Sequence, residues 1–320
     1  MARHRLLVTG AAGFVGRHLA EAARAHPLAG DIALAPLADG QGGTIDIRDA
    51  GAVDAAIEAF APTAIIHLAA VASPREAAKE PDIAWVVNVM GTFNLANAAM
   101  RHAPGARFVF AGSSEVYGAG FAAAKGRPVS EDTLLEPMSP YGATKAAADI
   151  MLGQMARQGL AATRFRPFNH TGPGQTAAYV VSAFARQIVR IERGWQAPLM
   201  RVGNLAVRRD FLDARDVVRA YLAAALSDGA ITGAFNLATG RPVAIAAMLE
   251  TLRGLASVPV TVETDPALLR EGEVETICGD PARAHAAFGW RAEIPLERTL
   301  ADVLDHWRGL AETAPELVRD

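Results

Sequence analysis

The feature that most constrains this chain is its first glycine cluster. A short apolar run, Arg5 to Thr9, leads directly into Gly10-Ala11-Ala12-Gly13-Phe14-Val15-Gly16, and an amphipathic stretch follows to Ala25. This is strand, tight glycine turn, helix, the opening of a unit that binds a dinucleotide. Gly10 permits the turn, Gly13 lets the backbone approach a pyrophosphate, and Gly16 lets helix and strand pack closely. The helix N-terminus offers free N–H groups and a partial positive charge to phosphate. About twenty residues past Gly16, such a unit carries an acid where the adenosine ribose keeps its 2′-hydroxyl. Here the second strand ends Leu34-Ala35-Pro36-Leu37, with neither acid nor arginine, and Asp39 sits in a Gly-rich loop. NAD(H) and NADP(H) both remain open.

The same rhythm continues for two-thirds of the chain. Apolar runs at Ile32 to Leu37, Thr63 to Leu68, Arg107 to Ala111 and Ala161 to Phe165 alternate with helical stretches at Asp82 to His102 and Pro140 to Gln158. Alternation of this kind predicts an α/β fold, a Rossmann-type doubly wound parallel sheet of about seven strands. After a Gly/Pro loop at Asn169 to Gln175 the pattern loosens. A helix is expected at Val217 to Leu226 and a strand at Phe235 to Leu237. The expected division is therefore 1–170 plus about 212–237 for the dinucleotide, with about 171–211 plus 238–320 forming a smaller α/β substrate-binding lobe. Gly118 to Ser139 is long and polar, and its place before a chemistry-bearing helix suggests a lid over a site.

Composition narrows the function classes. The chain has 320 residues, 51% hydrophobic, and a net charge of −3. That excludes disorder and offers no basic footprint for nucleic acid or a membrane surface. No uninterrupted apolar run reaches the roughly 18 residues that span a bilayer. The N-terminus reads as a strand rather than a signal peptide, so the expected localisation is cytoplasmic. A single cysteine, Cys278, cannot form an internal disulfide, and His67 and His170 lack metal-ligand spacing, so no metal is expected.

The catalytic signal is Tyr141-Gly-Ala-Thr-Lys145. Side chains four apart project from one helical face, and an ammonium beside a phenol favours the phenolate, pulling a pKa near 10 toward neutrality. Ser113 ends the fourth strand, where open α/β sheets bind ligands. Its hydroxyl can hydrogen-bond a reacting carbonyl.

Taken together, TGAAGFVG, HLAA at 67–70, NVMGT at 88–92, GSSEVYG at 112–118 and YGATK resemble the extended short-chain dehydrogenase/reductases that modify nucleotide sugars. RPFNHTGPGQ at 166–175, VGNLAVRRDFLDARDVV at 202–218, LLREGEV at 268–274 and GDPARA at 279–284 resemble the GDP-mannose 4,6-dehydratases and, more closely, the GDP-4-keto-6-deoxy-mannose reductases. The resemblance covers nearly the whole chain. It implies Tyr141 as proton donor or acceptor, Lys145 also holding the nicotinamide ribose, and Ser113 completing the catalytic set. Gly10, Gly13, Phe14, Val15, Gly16, Leu68, Ala69 and Ala70 match cofactor-binding positions, and Asp46 and Ile47 match those that bracket the adenine. Asn169 matches a substrate contact near the pyrophosphate, Arg209 a contact to the nucleotide diphosphate, and Arg270 and Glu273 residues around the nucleoside. Asn88 reads as a fixer of local backbone and of the active-site helix. Glu115 matches the base that the dehydratases use, and acids at this position also occur among reductases of this type. Val71-Ala72-Ser73-Pro74 replaces polar residues that follow HLAA in the family and removes hydrogen bonds to the sugar. The implied activity is reduction of a GDP-4-keto-6-deoxyhexose, with 4,6-dehydration or 4-epimerisation as alternatives and a non-catalytic cofactor sensor as a distant one. The implied assembly is a homodimer through four helices, with Trp85, Val86, Met90, Met151, Leu152 and Met155 as candidate interface side chains.

Overall fold

The computed structural model describes residues 3–39, 41–269 and 272–319. Five strands, β1 (His4–Thr9), β2 (Ile32–Pro36), β3 (Ala64–His67), β4 (Arg107–Ala111) and β5 (Ala161–Pro167), join a later strand, Gly233–Leu237, in one sheet. Every pairing in it is parallel, and the spatial order is β2, β1, β3, β4, β5, then Gly233–Leu237. Alternate residues face opposite sides, so neighbours in sequence enter different cores. Leu6, Ile66, Val109 and Phe165 meet helix α1 (Phe14–Ala25) and the helix Ala214–Leu226. Leu7, Ile65, Phe108 and Phe110 instead meet helix α2 (Ala50–Phe60), Thr92–His102 and Pro140–Ala156. Apolar residues in unbroken runs thus reflect a sheet covered on both faces.

The sheet has six strands where about seven were expected. After β2 the chain turns back on itself: the Asp39 carboxylate accepts from the amides of Gln41 and Gly43 at 2.9 and 2.7 Å, and Thr44 makes only an isolated bridge to Ala38. No further strand adds to that edge among the described residues.

The expected helix Asp82 to His102 is helical from Pro81 to His102, but its middle turn, Val86–Gly91, is π-helical. By length and composition this 22-residue stretch would suffice to cross a membrane, with a mean hydropathy of 1.2. An average tolerates Asn88 and Asn94, which an uninterrupted run does not. Of its most apolar 18-residue window 44% is buried, and the stretch packs against α2 and Pro140–Ala156.

A second core gathers Phe184, Ile188, Met200, Leu249, Val303 and Trp307 from the helices Val180–Glu192, Ile245–Gly254 and Leu296–Thr313 and the strand Leu199–Val202. The 118–139 segment packs Phe121 and Val129 onto Phe168, with a bridge from Val129 to Gly279.

One buried network crosses these parts. Asp149 on the helix Pro140–Ala156 accepts from Arg164 at 2.6 Å and from Arg166 at 2.9 and 3.0 Å. Arg166 reaches the Tyr117 hydroxyl and the Glu131 carbonyl, and Tyr117 donates to Asn236 at 2.6 Å. Removing one partner of a buried pair leaves charge without compensation, at a cost of about 3–5 kcal/mol. Asp149→Ala should therefore lower the urea midpoint sharply, while Asp54→Ala, which removes a half-exposed pair with Arg101, should change it little.

Candidate active site

Of the expected cofactor residues, the glycine turn and Leu68 to Ala70 lie at the C-terminal ends of β1 and β3, where the strand order reverses direction. Gly10 has φ +69°, and a Cβ there would lie 2.8 Å from the amide nitrogen of Ala69. At Gly16 a Cβ would lie 2.4 Å from the Ala11 carbonyl oxygen. Only glycine fits either position. Helix α1 begins after Gly13 with no side-chain cap and no acid in its first turn. Its leading N–H groups, those of Phe14, Val15 and Gly16, thus form an anion cradle. The Phe14 ring is occupied elsewhere: it stacks on His170 and meets His18 edge-on. Leu68 and Ala69 donate their amides to the Thr9 hydroxyl, fixing the 68–70 backbone opposite the glycine turn.

Asp46 and Ile47 lie beyond the β2 turn. Arg48 chelates the exposed Asp46 carboxylate at 2.9 and 3.0 Å and holds it below the usual carboxylate range. Ile47 is buried, and its carbonyl accepts from Asn94. Gly91 in the π turn admits the Ile47 side chain, since a Cβ there would sit 2.6 Å from its Cδ1.

The catalytic candidates converge beyond β4. Ser139 caps the helix Pro140–Ala156 by accepting from the Gly142 amide at 3.0 Å, and Pro140 pre-sets its first turn. Tyr141 and Lys145 therefore share the first turns of one helix. Lys145 is buried, donates to the Ala111 carbonyl at 2.8 Å and stands 4.9 Å from the centre of the Phe110 ring. Burial lowers its pKa to about 8. Ser113 accepts from the Glu115 amide at 3.1 Å, and its side chain also bonds Tyr141. Glu115 is exposed and accepts from Ser139 at 3.0 Å.

Tyr141 behaves differently from expectation. Its pKa is pushed up, not down: burial is the main cause, the Glu115 carboxylate adds to it, and the Ser113 hydrogen bond opposes both. Lys145 directs its ammonium at a peptide carbonyl of β4.

The substrate candidates lie in short strands beyond β5 and in the later chain. Asn169 pairs with Phe211 in a short parallel ladder beyond β5. Arg209 lies in the middle strand of a three-stranded sheet, bonds the Arg208 and Glu275 carbonyls and pairs with Glu273 at 3.3 Å. The structure thus brings Arg209 and Glu273 together, while Arg208 faces solvent. Arg270 lies outside the described residues. Two neighbours escaped the sequence reading. Asn204 donates to Glu273 at 3.3 Å, and its signal was the VGN tripeptide. Tyr179, at the start of Val180–Glu192, has its pKa raised chiefly by burial of its hydroxyl, with the nearby Glu76 and Glu115 carboxylates adding to it. Nothing local marks it, because the lobes meet only in three dimensions.

Asn88 behaves as expected. Its side chain accepts from the Val71 amide at 2.8 Å and donates to Thr144 at 2.9 Å, so it fixes backbone rather than facing the cleft. Cys278 is buried against Asp210, with its thiol pushed up to about 12, in keeping with a structural thiol. No group of metal-binding side chains occurs among the described residues.

Comparison with known proteins shows the family. The family model described as GDP-mannose 4,6 dehydratase matches residues 41–303. The chain is 35% identical to the GDP-6-deoxy-D-mannose reductase of Pseudomonas aeruginosa over 305 residues, 95% of this chain and 97% of that one. It is 30% identical to the UDP-glucose 4-epimerase of Mycolicibacterium smegmatis, over 96% of this chain and all of the other. Among solved structures, RMD from Pseudomonas aeruginosa complexed with NADPH superimposes with a TM-score of 0.86 at 35% identity, covering 96% of this chain and 99% of that one. The UDP-glucose 4-epimerase of Thermus thermophilus in complex with NAD gives 0.79 at 29% identity, over 95% and 99%. The chain is an enzyme with a Rossmann-type fold and belongs to the GDP-mannose 4,6 dehydratase family.

Proposed function

We propose that this enzyme reduces a GDP-4-keto-6-deoxyhexose at C4 with NADPH or NADH, giving a GDP-6-deoxyhexose such as GDP-D-rhamnose. The observation that carries this reading is the near full-length similarity to a GDP-6-deoxy-D-mannose reductase, joined to an intact Ser113, Tyr141 and Lys145 set. The uncapped α1 N-terminus, with glycines where a Cβ would clash, fits a dinucleotide pyrophosphate. Asp46 and Ile47 would bracket the adenine, Leu68 to Ala70 would line the cofactor, and Lys145 would hold the nicotinamide ribose. In this reading residues 1–170 with about 212–237 bind the cofactor, and about 171–211 with 238–320 bind the sugar nucleotide.

When bound, the reduced nicotinamide supplies hydride to C4. The protein supplies the proton and the geometry. Ser113 donates a hydrogen bond to the C4 oxygen as charge develops there. Tyr141 delivers its proton to that oxygen, and its raised pKa keeps the phenol protonated at neutral pH, the state a reduction needs at the start. Arg209, with Asn169, Arg270 and Glu273, anchors the GDP so that distant binding energy orients the sugar carbon.

Glu115 permits a second reading, 4,6-dehydration or 4-epimerisation. Its exposed carboxylate, near Tyr141, can take a proton from the sugar. Either reaction returns its hydride to the same sugar, so the purified enzyme would retain its cofactor. A non-catalytic sensor fits poorly with a complete catalytic set. Dimerisation is supported by Trp85, Val86, Met90 and Ile150, which are 44%, 44%, 50% and 61% exposed on the helices expected to pair. Leu152 and Met155 are not part of that face, because both are buried against their own sheet. A cytoplasmic enzyme acting on a small anionic substrate, with neither nucleic acid nor membrane as partner, accords with the net charge.

Incubation with NADPH and GDP-4-keto-6-deoxymannose, made in place from GDP-mannose by a separate dehydratase, tests the reading. A product heavier by two hydrogen atoms supports it; turnover of GDP-mannose alone, without added cofactor, overturns it in favour of dehydration. Tyr141→Phe should bind NADPH normally and lose roughly 10²–10⁴-fold in kcat. Arg209→Ala should chiefly raise KM for the sugar nucleotide. The ammonium of Lys145 is present below about pH 8 and lost above it. NADPH affinity should therefore fall as pH rises through that value, by about tenfold for a lost charged hydrogen bond. In Lys145→Met it should be weak and flat across the same range, as fluorescence titration can measure.

A further inference from the structure

His67, at the end of β3, is 1% exposed and lies between two threonines. Its Nδ1 is 2.7 Å from the Thr9 hydroxyl, and its Nε2 is 2.9 Å from the Thr92 hydroxyl. The surrounding bonds fix the direction of both. Thr9 Oγ1 accepts from the amides of Leu68 and Ala69 at 3.2 and 3.1 Å, so its own proton points to Nδ1. Thr92 donates to the Asn88 carbonyl at 2.6 Å, so its oxygen accepts from Nε2–H. Only the neutral Nε2–H tautomer satisfies every partner. Burial and the nearby Lys145 charge lower the His67 pKa to about 3, in agreement with that assignment.

Both ends of this chain of bonds reach functional backbone. At one end, Thr9 fixes the amides of Leu68 and Ala69, and Ala69 is the residue against which Gly10 packs. At the other, Asn88 sits in the π turn with its side chain on Val71 and on Thr144 at 2.9 Å, and Thr144 donates to the Tyr141 carbonyl at 2.8 Å. Thr9, Thr92, Asn88 and Thr144 are all buried, so water cannot take over a lost bond.

We propose that His67 is a positioning residue that ties the dinucleotide loop to the helix bearing Tyr141 through one directed hydrogen-bond chain, with separate arms for cofactor binding and for alignment of the proton donor. Its effect on turnover rests on the reduction proposed above.

Two substitutions separate the arms. His67→Gln keeps an Nε2 donor for Thr92 and removes the acceptor for Thr9. His67→Asn keeps an acceptor at the Nδ1 position and removes the donor to Thr92. His67→Gln should raise the Kd for NADPH about tenfold with kcat at saturation nearly unchanged. His67→Asn should bind NADPH nearly as wild type, lose about tenfold in kcat, and lose the slowing of amide exchange at 140–145 that NADPH produces in the wild type. Thr92→Val, which is close to isosteric, should reproduce His67→Asn and serves if that variant does not fold. Equal effects of both histidine variants on Kd and kcat, or a change in melting temperature alone, would overturn the inference. So would a wild type whose 140–145 exchange ignores NADPH. The NADPH titration and exchange measurements need no sugar, so a wild type inactive on the keto sugar would sink the proposed function and leave this test intact.

Discussion

The constraint on which the rest of the structure depends is the tight glycine turn between β1 and α1, which packs Gly10 on the backbone after β3 and Gly16 of α1 on the turn itself. A Cβ at Gly10 or Gly16 would collide with backbone, not with a movable side chain, so neither residue can change without shifting the helix or the sheet. The turn leaves the leading N–H groups of α1 without a side-chain cap. Thr9 stands beside His67, since the two are register partners across the β1/β3 ladder. Sheet geometry thus sets both the uncapped helix start and the beginning of the polar chain that leads to the helix carrying Tyr141 and Lys145.

Burial acts on the two candidate catalytic groups, Tyr141 and Lys145, in opposite senses, because it always disfavours the charged form. It lowers Lys145 toward neutrality and raises Tyr141 above its ordinary value. The tyrosine therefore holds its proton through the neutral range, and the lysine remains a cation up to about pH 8. Ser113 counters the effect on Tyr141 by hydrogen bonding. An acid of this kind suits one direction of proton flow better than the other.

What could be read from the sequence was local. The glycine turn and the Tyr141/Lys145 spacing depend on backbone within one or two turns of chain, so their residues identify themselves. The buried strands were legible because residues facing both covered sides must be apolar, as Leu6 and Leu7 show. Elsewhere the outcome depended on distant partners. Among the described residues no seventh strand joins the sheet, and after β2 the Asp39 carboxylate instead accepts from the amides of Gln41 and Gly43. Leu152 and Met155 look the same in sequence as residues of an exposed apolar face, and only the packing of Pro140–Ala156 on its sheet separates them from Ile150. Arg209 and Glu273 were found through family resemblance, since they stand 64 residues apart and no periodicity links them. The His67 chain was invisible, because a histidine ending a strand reads as an ordinary core residue until both threonines are seen beside it.

The direction of the chemistry turns on how Glu115 and Tyr141 influence each other. A carboxylate close to a phenol stabilises the neutral phenol, and Glu115 is the second cause of the raised Tyr141 pKa. In an oxidising half-reaction Tyr141 must first give up its proton to become a base, against the field of that same carboxylate. In a reducing half-reaction Tyr141 starts neutral, and Glu115 opposes ionisation only as the proton leaves for an alkoxide that is itself the stronger base. Ser139 further restrains Glu115 by donating a hydrogen bond to it while capping the helix that carries Tyr141. A base committed to abstracting a proton from carbon would have to keep that oxygen available. The arrangement therefore favours Glu115 as a fixed negative charge that keeps the proton donor loaded, which is what a reductase requires.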